Sequence, residues 1–191
     1  MSKLLLDRLK AQFGDSVLET SNFRGDDVAV LDPKVWRAAA EFLRDDNRCG
    51  CDYFVDLSCV DYPDEDDTKG RFDVYLIVYS THKKHRVRIK ARVSEANPEL
   101  DTVGDIYLGA SWGEREVFDM FGVRFKGHPD LRRILMYEEF VGYPLRKDYP
   151  ATKAQPLVEY RDNTHDKLGP FLADEGMPFN RAPVDPKNFA S

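Results

Sequence analysis

Phe72-Asp73-Val74-Tyr75-Leu76-Ile77-Val78-Tyr79 is apolar at nearly every position, and β-branched and aromatic residues dominate it. Such a run predicts a strand over 71–80 that is covered on both faces, as a central strand of a sheet would be. A short link, Ser80 to Lys84, leads into a second run at 85–93 that alternates cleanly. Val87, Ile89, Ala91 and Val93 point one way, and Arg86, Arg88, Lys90 and Arg92 point the other. Upstream, a third run at 53–61 is joined to the first by the turn-rich, acidic linker Tyr62 to Gly70. Three runs with connections this short predict an antiparallel meander.

Outside the meander the pattern changes to helical spacing. Leu4, Leu5, Leu6, Leu9 and Phe13 predict an amphipathic helix over 3–13, ended near Gly14. Val17 to Thr20 and Val28 to Leu31 are short strand candidates around a turn at Asn22 to Asp27. Asp32-Pro33 supplies an N-cap and a proline at the first helical position. The helix that follows, Lys34 to Asp45, places Val35, Trp36, Ala39, Phe42 and Leu43 along one face. Glu95 to Asp101 reads as a loop marked by Pro98. Ser111-Trp112-Gly113-Glu114 reads as a capping box opening a helix that runs to Phe121 and stops at Gly122. Val123 to Phe125 is a candidate last strand. Together these predict an α+β fold, with helices packed on one face of a small, mainly antiparallel sheet, and an extended irregular C-terminal segment. The expected division is a globular domain at 1–126, a segment at 127–150 without regular periodicity, and a tail at 151–191 holding five of the 11 prolines.

Composition excludes several function classes. The 191 residues carry a net charge of −6 with a pI near 5.3, which argues against a chain that lives on nucleic-acid phosphates. No run approaches the roughly 18 apolar residues of a membrane span, and the N-terminus lacks a signal-peptide core, so the expected compartment is cytoplasmic. Cys49, Cys51 and Cys59 are odd in number and lack the CxxC spacing of zinc or cluster sites, so they read as structural thiols. His82 and His85 read as a solvated turn, and the acidic run Asp61 to Asp67 lacks the glycine and distal glutamate of an EF-hand. The stripe Arg86, Arg88, Lys90, Arg92 is a solvent face, a face complementary to an acidic partner, or the track of a free-standing nucleic-acid-binding sheet. There is no GxSxG elbow, Walker A loop or GxGxxG turn.

The chemistry concentrates at 114–150. Trp112, Arg115, Glu116 and Asp119 share one face of a short helix, and Val117, Met120 and Phe121 occupy another. Beyond it Arg132, Arg133, Arg146 and Lys147 alternate with Asp130 and Asp148 among prolines and glycines. Mixed charge on irregular backbone suits a recognition surface. A solvated loop with incidental ion pairs, each below about 1 kcal/mol, fits the composition equally well.

Three blocks in order settle the resemblance: Glu114-Arg-Glu-Val-Phe-Asp-Met-Phe-Gly122, Gly127-His-Pro-Asp-Leu-Arg-Arg-Ile-Leu135 and Pro144-Leu-Arg-Lys-Asp-Tyr-Pro150. Residues 111–150 closely resemble the signature region of the 30 kDa subunit family of respiratory complex I, the proton-pumping NADH:quinone oxidoreductase. The first 50 residues match in outline only, and Gly113 lies where a bulkier residue is commoner. The resemblance implies a peripheral-arm subunit on the cytoplasmic side of a bacterial inner membrane. It implies no catalytic, cofactor-binding or metal residue on the chain itself, while the complex uses NADH, FMN, iron–sulfur clusters and quinone. It also implies docking mainly against the D-type subunit, which helps form the quinone chamber, and against the cluster-bearing B-type and I-type neighbours. The docking groups it points to are Glu114, Arg115, Glu116, Asp119, His128, Asp130, Arg132, Arg133, Arg146, Lys147 and Asp148. The equivalent subunit of a membrane-bound hydrogenase or formate hydrogenlyase complex would look alike.

Overall fold

A computed structural model describes residues 3–63 and 70–156. The alternation at 85–93 becomes a strand because it lets one row of side chains go fully dry. Val87, Ile89 and Ala91 have no exposure in β5 (His85–Val93). Beside it run β4 (Phe72–Ser80) and β3 (Tyr53–Asp61), both antiparallel, as the meander predicts. On the other side the hairpin β1 (Val17–Phe23) and β2 (Asp26–Leu31) completes a five-stranded sheet of order β1-β2-β5-β4-β3. β2 meets β5 in parallel, so β5 and not β4 is the central strand.

Register carries the core across the sheet. Leu57, Leu76, Ile89 and Ala29 align in one row, and Cys59, Val74, Ala91 and Leu31 in the next. Each fully buried large aliphatic chain there contributes about 1.5–3 kcal/mol. All the buried rows lie on one face, against Leu5, Leu6 and Leu9 of α1 (Lys3–Phe13) and Trp36, Ala39, Ala40 and Leu43 of α2 (Trp36–Asp45). Ala110, Val117, Met120 and Phe121 of α3 (Ala110–Phe121) join the same core. The opposite face stays open among the described residues, with Tyr75, Ile77 and Tyr79 half-buried. The reading of β4 as covered on both faces is therefore corrected. Tyrosine and isoleucine tolerate a half-wet surface that packing on one side does not require to be polar.

Local signals account for the helix boundaries. Asp32 accepts the Lys34 N–H at 2.9 Å, and Pro33 leads a single tight turn into α2. α3 starts one residue before the expected capping box. Ser111 and Glu114 do not bond each other's backbone; both turn to partners elsewhere in the fold. Gly113 explains the close packing of α3 on β3, since a Cβ there would lie 2.9 Å from the Leu57 carbonyl oxygen. Glu99–Asp101, expected as loop, forms β6 and pairs in parallel with β7 (Arg124–Lys126). Pro98 sits just outside the pairing, with its carbonyl accepting the Arg124 N–H.

The three thiols are buried in the core, and burial pushes the Cys51 thiol up to about 12, as expected for structural cysteines. His85 bonds the Cys49 carbonyl oxygen at 2.7 Å while His82 faces solvent, so the two imidazoles do not converge. No helix among the described residues is long and apolar enough to cross a membrane. The acidic run at 64–67 and the tail from residue 157 lie outside the described residues.

Candidate docking surface

The signature helix carries two carboxylates that the structure turns inward. Glu114 is fully buried; it accepts the Thr102 hydroxyl at 2.6 Å and the Val103 N–H at 2.7 Å. Burial pushes its carboxyl above the usual range, against the pull of those two donors. Asp119 is equally buried. Its Oδ2 accepts the N–H groups of Ile134, Leu135 and Met136 at 3.1, 2.8 and 2.9 Å, and Oδ1 accepts Arg133 at 2.6 Å. Burial alone would raise this carboxyl; the donors of Met136, Leu135, Arg133 and Ile134 hold it below the carboxylate range instead. Asp119 does share a helix face with Trp112 and Glu116, but the returning chain at 133–136 covers that face at its C-terminal end.

Three further anchors tie the irregular segment to the globular body. Arg133 also donates to the Gly142 carbonyl oxygen at 3.0 Å and lies over Phe140 and Tyr143. Arg146 donates to the Phe121 carbonyl oxygen at 2.6 Å, with its guanidinium over Phe72 and Tyr143. Arg71, at the edge of β4, bridges buried Asp61 at 2.7 Å, Asp148 at 2.8 Å and Glu95 at 2.9 Å. Asp61 accepts the Lys147 N–H as well. Sequence reasoning missed Arg71 and Asp61 as parts of this surface. Their only signal was a charge at the end of β3 and another just before β4, joined by the acidic linker.

The eleven expected docking groups therefore divide. Glu114 and Asp119 are fully buried, and Arg133 and Arg146 are largely committed to partners within the chain, so these four organise the segment from inside. Arg115 is half-buried and donates to the carbonyl oxygens of Arg132 and Arg133 at 3.1 Å each. His128 has a buried ring. Its Nδ1 accepts the Asp130 N–H at 3.0 Å, so the neutral ring carries its proton on Nε2, toward Ser111. In that tautomer it cannot take a proton from the Ser111 hydroxyl. Glu116, Asp130, Arg132, Lys147 and Asp148 face outward. Beside them, four apolar side chains with no counterpart in the expected set stand in solvent: Leu135, Tyr137, Val141 and Leu145.

The C-terminal end of α3 depends on Gly122, whose φ of +82° closes the helix. A Cβ there would lie 2.6 Å from the Tyr143 ring and 2.7 Å from Arg146. Gly122→Ala should destabilise the chain by about 2–4 kcal/mol, combining left-handed strain with overpacking, as read from a urea midpoint. Acid should release the same segment. Asp119 and Asp61 both have carboxyls depressed in the fold, so their stabilisation is present above the ordinary value of 3.8 and is lost as pH falls through the folded values. Glu114, raised in the fold, runs the other way and cannot cause that loss. Pepsin should cut within 131–150 at falling pH before it cuts β4 or β5.

On the open sheet face, Arg86 pairs with Asp26, Lys90 with Asp73 at 2.9 Å, and Arg88 lies over Tyr75. At least two of the four stripe cations are thus already neutralised, a poor track for a phosphate backbone.

A family model described as respiratory-chain NADH dehydrogenase, 30 kDa subunit, matches residues 29–155. The chain belongs to that family. The 30 kDa subunit match runs from β2 through α3 to the end of the anchored segment, so it takes in both the sheet and the surface described above. A relative from Geotalea uraniireducens, named as a subunit of NADH-quinone oxidoreductase, is 41% identical over 143 residues, covering 75% of this chain and 84% of its own. Its namesake from Roseiflexus castenholzii is 42% identical over 146 residues, covering 76% and 82%. Among solved structures, a trypsin-resistant fragment of Nqo5 superposes with a TM-score of 0.55 at 29% identity, over 66% of this chain and 99% of the fragment. A chain of the membrane-bound sulfane sulfur reductase, an archaeal respiratory membrane complex, shares the fold with a TM-score of 0.63 at 19% identity, over 78% and 86%. As a 30 kDa subunit, this chain is part of a hetero-oligomeric oxidoreductase complex.

Proposed function

We propose that this chain is a docking subunit of the peripheral arm of proton-pumping NADH:quinone oxidoreductase, with no active site, flavin, cluster or quinone of its own. The observation that carries this reading is the organisation of 131–150. Asp119, Arg133, Arg146 and Arg71 hold irregular backbone from within, and Leu135, Tyr137, Val141 and Leu145 are displayed outward. Irregular backbone is costly to order, and here side chains of the same chain hold it. Preorganised apolar side chains rimmed by Asp130, Arg132, Lys147 and Asp148 have the anatomy of a protein interface.

The main partner is the D-type subunit beside the quinone chamber, with the B-type and I-type neighbours, on the cytoplasmic side of the membrane. The electrons run from NADH through FMN and iron–sulfur clusters to quinone in other subunits of the complex. The part played here is to keep the neighbours in register, so that electron-transfer distances are maintained.

Replacing Leu135 and Leu145 together by Asp tests this reading, because both are at least half exposed and the fold does not need them. Tagged chain recovered from solubilised membranes should carry at least ten-fold less of its partner subunits, with an unchanged thermal transition of the purified chain. Full recovery of an active complex with the double variant would remove the docking role. Arg132→Ala should do little, since that side chain is exposed and its ion pair with Asp130 is a surface one.

A further inference from the structure

A cleft of about 550 Å³ opens beside the anchored segment, between the first turn of α3 and the chain at 127–132. The charged side chains of its wall each have a partner within the chain. Asp105 receives both arms of Arg37, at 2.7 and 2.6 Å, and Asp130 receives Arg132 at 2.9 Å. Arg115 is committed to two backbone carbonyls. Deeper in, Thr102 donates to Glu114, and Ser111 and His128 bond each other. None of these groups leaves a buried side-chain atom without a partner.

What the cleft leaves unsatisfied is apolar. Leu108 is 83% exposed and Trp112 62% exposed, and Pro129 completes that side. Leu108 is the most exposed large hydrophobic side chain among the described residues. Arg115 lies over the Trp112 ring, 5.1 Å from its centroid, a contact that favours this orientation of the indole.

Paired charges and a bare indole select the ligand. A phosphate or nucleotide would meet the carboxylates of Asp105 and Asp130 beside any arginine donor it gained, whereas an apolar side chain displaces only water. We infer that this cleft receives large apolar side chains of a neighbouring subunit's amphipathic segment, with Trp112 as the central anchor. The inference rests on the docking reading above and names a second contact of the same surface, continuous with it through Arg115 and Arg132. Trp and Arg side by side, once covered, are the composition of an interface hot spot.

Hydroxyl-radical footprinting of the free chain and of the assembled complex separates the outcomes. Trp112 and Leu108 should react at least ten-fold more slowly in the complex, while Leu18, exposed on β1 in the hairpin, serves as reference. Protection of Leu135 and Leu145 without protection of Trp112 would overturn the cleft and leave the docking reading standing. Protection of none of them in an intact complex would overturn both. A photo-crosslinking residue in place of Leu108 should join a peptide of another subunit at an aliphatic or aromatic position. A crosslink to nucleic acid, lipid or a second copy of this chain would sink the idea. Trp112→Ala should lower recovery of the complex on the order of ten-fold or more. Its purified form should unfold like the native chain, and Trp112→Phe should restore recovery. A Trp112→Ala chain that assembles normally would count against the anchor.

Discussion

Asp119→Ala should cost about 3–5 kcal/mol and free the whole 131–150 segment, a larger effect than any exposed residue of the signature can produce. The carboxylate accepts three successive backbone N–H groups and one guanidinium in a site with no solvent exposure. Removing it strands all four donors and leaves Arg133 half of a broken buried pair. Hydrogen exchange at Ile134, Leu135 and Met136 should rise to the rate of a solvated loop, while the amides of β4 and β5 stay protected. Asp119→Asn should fall between, because an amide keeps one acceptor but presents an N–H₂ to the donors it replaces. If Asp119→Ala left those three amides protected, the segment would owe its shape to something other than this carboxylate.

Arg71→Ala should cost a comparable 3–5 kcal/mol or so, for the opposite reason. Here the cation is lost, and the buried Asp61 keeps a charge met by the Lys147 N–H and the more distant charge of Arg146. Asp148 and Glu95, both about half exposed, recover their losses from water and contribute little. The chain should therefore bind a proton at Asp61, and the variant's stability should recover toward low pH, where the native protein declines. Denaturant midpoints of the two proteins across that range should converge. Arg71→Lys should not rescue, since one ammonium cannot make the two parallel bonds from Nε and Nη2 to Asp61.

Much of the fold could be read from residue order. β3, β4 and β5 appear where alternation and apolar runs place them; α1 and α3 end at a glycine, and α2 begins after a proline-led turn. Those features are local: a strand's two faces and a helix's stripe are written within ten residues, because burial selects for period two or period 3.6. The three signature blocks at 114–150 were equally plain, and they carried the family.

The partners of the charged residues were not legible there. Asp119 and Glu116 are both acids on one short helix; one lies under 133–136 and the other in water, and only the path of the chain after Gly127 distinguishes them. The parallel join of β2 to β5, the pairing of β6 with β7, and the meeting of Arg71 with Asp148 are contacts between residues 25 to 77 positions apart. No local propensity encodes such contacts, since their free energy appears only once the loop is closed. The three signature blocks in 114–150 therefore carried the family, and with it membership of a hetero-oligomeric complex. Burial then divided the segment into charges that shape it from within and apolar side chains, Trp112 and Leu135 among them, that remain for another chain to cover, because a charge held in the interior must be paired there while exposed apolar surface gains by leaving water.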